Sequence, residues 1–184
     1  MLDRVRQAVF NIIGAAHGDP GSVPAVAVLD IFAGSGALGI EALSRGAAFC
    51  CFVEEDFTAA KTLKGNLKSL GLQDRTRVVQ ASALKAALPA PPAAPGAGVA
   101  AGRYTIVFLD PPYPMSRDSS VGSPIGQLLV GLPDRVPLEP AALIVLRHEA
   151  GVRYDEQPYG RLKSFDVRRY GGMDVTFMEV VPGQ

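Results

Sequence analysis

Cysteine is scarce in this chain: only two occur in 184 residues, and they are adjacent, Cys50-Cys51. Neighbouring side chains on a strand point to opposite faces, so a buried, reduced pair is expected rather than a disulfide or a thiolate metal site. Histidine is equally rare. His17, beside Gly18-Asp19-Pro20-Gly21, and His148, in Leu146-Arg147-His148-Glu149, have no partners at ligand spacing, so both read as structural or solvent-facing and no metal is expected. No uninterrupted apolar run reaches the ~18 residues of a membrane span, and no charged-then-apolar leader opens the sequence. A cytoplasmic protein with no membrane partner is therefore expected. Excess charge is also missing, because 18 Lys+Arg balance 18 Asp+Glu at a pI near 6.7, which argues weakly against a nucleic-acid substrate. The distribution of charge offsets this in part. Arg161, Lys163, Arg168 and Arg169 against Asp166 make 161–170 locally basic, and Arg4 and Arg6 add charge near the amino end, although solvated strand and helix faces would look the same.

Length and a 48% hydrophobic composition suit one compact domain spanning 1–184. Apolar periodicity and turn signals predict helices over 3–16, 36–46, 56–70, 82–87 and 122–132, the last bounded by Pro133. Strands are predicted over 26–31, 49–54, 75–80, 104–109, 141–147, 162–170 and 173–181, with Gly171-Gly172 as a hairpin signal joining the last two. Alternating strands and helices imply a mostly parallel sheet with right-handed crossovers.

Two motifs carry chemistry. In the first, the strand pattern Val26-Ala27-Val28-Leu29-Asp30-Ile31-Phe32 runs into Ala33-Gly34-Ser35-Gly36-Ala37-Leu38-Gly39 and then into the helix pattern Ile40-Glu41-Ala42-Leu43. Gly34-x-Gly36-x-x-Gly39 lets backbone approach a ligand and lets the helix pack closely on the strand. Glu54, ending the next apolar run, is placed to take both hydroxyls of an adenosine ribose. An adenosine-containing cofactor is implied. Asp30 lies four residues before Gly34, where it would repel a pyrophosphate and attract an ammonium, favouring S-adenosyl-L-methionine over a dinucleotide.

The second motif, Asp110-Pro111-Pro112-Tyr113, follows the apolar run 104–109. Asp110 can accept one N–H of a planar amine, the Pro111 carbonyl on a stiff Pro-Pro turn can accept another, and Tyr113 supplies a stacking face. An exocyclic amine on a flipped nucleobase would fit. A strand-ending turn without chemistry would use the same residue types.

Together with Asp3-Arg4-Val5-Arg6-Gln7-Ala8-Val9-Phe10-Asn11-Ile12 and the block 32–46, these motifs make the chain resemble the bacterial RsmD-type 16S rRNA guanine-N2 methyltransferases, over nearly its whole length. The resemblance implies a class I S-adenosylmethionine-dependent methyltransferase (Rossmann-like) α/β fold. Its sheet has seven mostly parallel strands, the last antiparallel, with helices on both faces. It implies a monomer acting on 16S rRNA within a small ribosomal subunit or assembly intermediate. Asp110, Pro111, Pro112 and Tyr113 are its catalytic candidates. Asp30, Phe32, Ala33, Gly34, Ser35, Gly36, Gly39, Glu54, Ser82, Ala83 and Asp110 are candidates for holding the cofactor, with Ser82-Ala83 standing where the family usually has an Asn or Asp against adenine. Arg4, Arg6 and Tyr113 are substrate candidates, and Asn11 and Glu41 lie in the same region.

Two departures from the family pattern stand out. The family pattern leads one to expect a short basic hairpin segment before the D-R-V-R helix, whereas this sequence starts at Met1-Leu2-Asp3 and is expected to be either truncated or a short variant, with RNA contacts reduced and the cofactor site intact; with the balanced charge, modest RNA affinity is expected. The Pro/Ala/Gly-rich stretch 88–102 is expected to be an irregular, mobile insertion. Two other readings remain open: an amino-methyltransferase acting on DNA adenine or cytosine, and a non-catalytic assembly factor that binds the cofactor and RNA. The 88–102 stretch is too featureless to read bases, which favours RNA.

Overall fold

The computed structural model describes residues 3–16, 19, 21–92 and 102–182. Seven strands form one sheet in the order β3-β2-β1-β4-β5-β7-β6. In chain order they are β1 (Ala27–Ile31), β2 (Phe49–Val53), β3 (Thr76–Val79), β4 (Tyr104–Leu109), β5 (Leu138–Glu149), β6 (Leu162–Tyr170) and β7 (Met173–Val180). The first five run parallel, while β7 is antiparallel to both β5 and β6, as the hairpin signal and the family resemblance lead one to expect.

Helices cover both faces. On one lie α1 (Asp3–Ala16), α2 (Ala37–Ser44) and α3 (Phe57–Ser69); Val9, Phe10 and Ile13 of α1 pack with Leu38 and Leu43 of α2, Leu63 of α3 and the strand residues Val28, Phe52 and Phe108. On the other, Ile125, Leu128, Leu129 and Leu132 of α5 (Pro124–Arg135) pack on Leu29, Ile31, Val107 and Ile144. Strand alternation sends Cys50 into the first core and Cys51 into the second; both are free and buried, and burial pushes both thiols up.

Several boundaries differ from expectation for local reasons. The helix expected over 82–87 does not form. The Ser82 carbonyl instead accepts the Lys85 and Ala86 amides at 3.1 and 2.8 Å, closing one turn before Pro89, whose preference for an extended neighbour stops the helix. Helix α5 runs past Pro133 to Arg135, because a proline in the last turn forfeits one helical bond while the Val136 amide still reaches the Leu132 carbonyl at 3.1 Å. Strand β5 begins at Leu138 rather than 141: Ala141 sits at φ 59°, and a register shift lets Tyr104 pair with Leu138 and Ile106 with Leu143. A short helix not expected from the sequence, α4 (Tyr113–Ser116), follows the Pro-Pro turn. The irregular stretch does begin without helix or strand, yet Leu88 is buried and the Tyr104 hydroxyl donates to the Pro89 carbonyl at 2.8 Å, so its first residues are anchored. Its remainder, 93–101, lies outside the described residues, as does His17.

Candidate functional site

Strand register assembles the site. Ile31 is level with Val53 and with Leu109, and Leu109 is level with Leu146. The next residue on each strand therefore places Phe32, Glu54, Asp110 and Arg147 in one row along the carboxyl edge. This is also where the chain reverses its direction of winding, from β1 outward to β2 on one side and to β4 on the other, and such switch points open a crevice for ligands.

The glycine turn between β1 and α2 is held by two carboxylates. The Asp30 carboxylate accepts the Gly39 amide at 2.9 Å, and the Glu54 carboxylate accepts the Gly34 amide at 2.7 Å through one oxygen and the Asp56 amide at 2.8 Å through the other. Asp30 is buried, which pushes its carboxyl well above the usual carboxylate range; the Gly39 amide opposes that shift, and the nearby Asp110 and Glu54 charges add to it. Each glycine has a separate task. A Cβ at Gly39 would lie 2.3 Å from Phe52 Cε1 and 2.6 Å from Cys50 Sγ, so α2 can approach β2 only without a side chain there. A Cβ at Gly34, where φ is 56°, would meet nothing within 4 Å, because open space lies beside this residue. Gly36, at φ 91°, caps α2, and a Cβ on it would come within 2.4 Å of Leu63 Cδ1. Ser35 is exposed and contributes its carbonyl to Asn66 Nδ2 at 3.0 Å.

Two cavities meet at Phe32. A cleft of about 460 Å³ is lined by the apolar residues Phe32, Phe57, Leu84, Pro112 and Met115 together with Ser82 and the acidic run Glu54-Glu55-Asp56. A small hollow of about 30 Å³ is lined by Asp30, Phe32, Ala33 and Asp110 with Ala37 and Leu38. The larger cleft suits an adenosine, with apolar surface for the base and Glu54 for the ribose hydroxyls; the acidic hollow suits an ammonium. The donor set thus fits S-adenosylmethionine. Ala83, by contrast, is buried in the core, and its carbonyl accepts from Arg135 Nη2 at 3.1 Å, so Ser82 faces the cleft and Ala83 supports the turn behind it.

Among the described residues no group of three His, Cys, Asp or Glu side chains comes together to hold a metal, and no helix is long and apolar enough to cross a membrane. A family model described as conserved hypothetical protein 95 matches residues 1–179. YlbH of Bacillus subtilis, provisionally named an rRNA methyltransferase, is 37% identical over 154 residues, covering 84% of this chain and 73% of that one.

The chain belongs to this RsmD-type family.

A Haemophilus influenzae member, ribosomal RNA small subunit methyltransferase D, is 38% identical over 113 residues, covering 60% of this chain; the match spans 51% of that protein's own length. The fold is shared more widely. An RNA methyltransferase of Salinibacter ruber solved with S-adenosyl-L-homocysteine superposes with a TM-score of 0.64 at 14% identity, covering 100% of this chain and 95% of that one. The family fold is the class I methyltransferase fold, and its cofactor is S-adenosyl-L-methionine.

In the Asp110-Pro111-Pro112-Tyr113 segment, the Asp110 side chain is mostly withdrawn from water, which raises its carboxyl, while the guanidinium of Arg147 opposes the shift and bonds to it. Pro111 is buried, Pro112 is exposed at φ −54° and ψ 139°, and its carbonyl accepts the Met115 amide at 2.9 Å, so Tyr113 becomes the first residue of α4 rather than part of a loop. Sequence reasoning does not single out Arg147. Its only signal is a charge following the apolar run 141–146, which the pairing of β5 with β4 turns into a partner for Asp110.

The amino-end candidates are placed differently. Arg6 Nε lies 3.9 Å from the Glu41 carboxylate on α2, and Asn11 Oδ1 accepts from Gln7 Nε2 at 3.0 Å within α1. Arg45 clips these elements together: it donates to Glu41, to the Gly21 carbonyl and to Gln7, and its guanidinium sits 4.9 Å from the Phe10 ring centroid. The side chain of Arg4 lies outside the described residues. In the basic stretch, Arg161, Arg168 and Arg169 pair with Asp134, Asp166 and Asp174, so much of that charge is already matched. His148 is fully buried, with Nε2 at 2.7 Å from Thr176 Oγ1, a structural role.

Proposed function

We propose that the protein transfers a methyl group from S-adenosylmethionine to the exocyclic N2 amine of a guanine in 16S ribosomal RNA. The observation that carries the reading is the position of Asp110: it lines the acidic hollow with Asp30, Phe32 and Ala33, while Pro112 and Met115 of the same segment line the adenosine cleft. The acceptor motif therefore borders the cofactor space on both sides. Membership of the family and the likeness to small subunit methyltransferase D support small-subunit RNA as the substrate.

The cofactor supplies an electrophilic methyl group on a cationic sulfur. Everything else falls to the protein. A guanine amine is a weak nucleophile because its lone pair is delocalised into the ring. Asp110 and the Pro111 carbonyl would each accept one N–H, turning the lone pair toward the methyl and stabilising positive charge as it grows on nitrogen. The acidified nitrogen then loses its proton without a dedicated strong base. Tyr113 stacks on the extruded base, an interaction worth about 1–3 kcal/mol by analogy with single-strand binders. Glu54, held rigid by the Gly34 and Asp56 amides, keeps acceptor capacity toward the ribose hydroxyls.

The test is to incubate the protein with methyl-labelled cofactor and, separately, small ribosomal subunits, naked 16S RNA and DNA, then digest and identify the labelled nucleoside. Label in N2-methylguanosine is the expected result. Label in N6-methyladenine or N4-methylcytosine from DNA, or cofactor binding with no label anywhere, would overturn the reading.

A further inference from the structure

The Asp110 carboxylate does not stand alone at the edge of the sheet. Register places Arg147 of β5 beside it, and Arg147 Nε donates to Asp110 Oδ1. The same guanidinium extends Nη1 to within 3.4 Å of the Tyr113 hydroxyl, and its central carbon lies 5.2 Å from the Tyr113 ring centroid. Both partners of the ion pair are mostly withdrawn from water, each side chain 18% exposed. One side chain thus touches the carboxylate and the aromatic ring that the reaction would need.

Those contacts have geometric consequences. An oxygen bound to Nε leaves the other oxygen of Asp110 as the acceptor for an incoming amine. A guanidinium lying over Tyr113 covers one face of the ring, so a base can stack on the opposite face. Because the guanidinium is planar and forked, both constraints are set by one rigid group, which a lysine ammonium on a flexible stem would not reproduce.

We propose that Arg147 is a positioning residue for methyl transfer, locking the Asp110 carboxylate and the Tyr113 ring in one relative orientation so that the same base meets both. This rests on the reading of Asp110 as the amine acceptor. Among the described residues, the charged groups acting on or near Asp110 are Asp30 from β1 and Arg147 from β5, with the Tyr113 hydroxyl on α4 beyond the guanidinium and Glu54 acting on Asp30. Burial pushes the Asp110 carboxyl up, and the Arg147 guanidinium is the largest influence opposing it. Removing that cation therefore moves the carboxyl higher, and the ionised acceptor is lost at a pH where the wild type retains it.

The experiment compares wild type with Arg147→Met and Arg147→Lys in methyl transfer to small-subunit RNA across pH, with cofactor affinity and melting temperature measured on each protein. For Arg147→Met, kcat is expected to fall about 10²-fold, the cost typical of a misplaced acceptor, with cofactor Kd little changed. The acid limb of kcat/KM should move to higher pH. Arg147→Lys should return the limb toward its wild-type position, because the charge is kept, while kcat stays low, because the fork is gone. A merely structural clip would lower melting temperature and rate together and leave the limb in place. An active wild type whose acid limb is unmoved in Arg147→Met, or a lysine variant with full kcat, overturns the proposal alone; if Arg147→Met does not fold, the kcat of Arg147→Lys decides. A wild type that binds cofactor yet labels no RNA overturns the parent reading, and this role with it.

Discussion

The Glu54 carboxylate accepts the Gly34 amide at 2.7 Å, so the acid proposed to meet the ribose also fixes the glycine turn beside it. Replacing Glu54 with Gln keeps a carbonyl acceptor for one of its two amide partners but removes the charge. Hydrogen bonds to charged groups contribute about 1.5–3 kcal/mol, so cofactor Kd should rise roughly 10- to 150-fold in Glu54→Gln. Calorimetric titration checks this, and an unchanged Kd would remove Glu54 from the cofactor site.

Two glycines of the same turn should fail in opposite ways. In Gly39→Ala the new methyl would press on Phe52 and Cys50, and overpacking of this kind costs about 1–3 kcal/mol, lowering the melting temperature by several degrees. Gly34→Ala meets no protein atom and bears only the left-handed backbone cost of about 1–2 kcal/mol, but that strain falls on the residue whose amide holds Glu54. Cofactor affinity should therefore fall more in Gly34→Ala than in Gly39→Ala. Thermal melts run with and without cofactor separate the two.

Asp30 gives a pH dependence of unusual sign. Its carboxyl is raised by burial above the value it has in the unfolded chain, so the folded state binds the proton more readily. The cost of its charge is present in full above the folded pKa, and is relieved as pH falls toward the unfolded value. Asp30→Asn removes that charge while leaving an acceptor for the Gly39 amide, so the melting temperature at neutral pH should rise. Cofactor affinity should fall in the same variant, because the ammonium loses its acidic partner. A lower melting temperature would show that the ionised carboxylate stabilises the fold.

Tyr113 should act chiefly through its ring. Stacking worth about 1–3 kcal/mol predicts a rise in KM for RNA of roughly 5- to 150-fold in Tyr113→Ala. Tyr113→Phe, which loses only the long contact with Arg147 at 3.4 Å, should lie much nearer wild type. Steady-state kinetics on small subunits distinguish stacking from a hydroxyl role.

Local patterns make most of the fold legible, since β2 and β4 are apolar runs followed directly by an acid, β1 is an apolar run carrying Asp30 one residue before its end, and α1 carries its apolar face at helical spacing. The cofactor turn is legible for the same reason: Asp30, Gly34, Gly39 and Glu54 lie within 25 residues and two bond pairs join them. What escapes depends on neighbours distant in sequence. Arg147 acquires meaning only from register with β4, thirty-seven residues earlier, and the early start of β5 depends on the kink at Ala141. The helix expected over 82–87 has suitable composition but too few residues before Pro89 to repay nucleation, and a single turn forms instead.

The role of Asp110 is tested most directly by single-turnover methyl transfer with wild type and Asp110→Asn, both saturated with labelled cofactor whose occupancy is measured in the same sample. An asparagine of the same size keeps the shape of the site but not the charge that stabilises the reacting nitrogen. Comparable occupancy with a methyl-transfer rate lower by about 10²-fold or more is the predicted result. Equal rates at equal occupancy would contradict the assignment of Asp110 to the amine, and a loss of occupancy that accounts for the whole effect would make it a cofactor ligand instead.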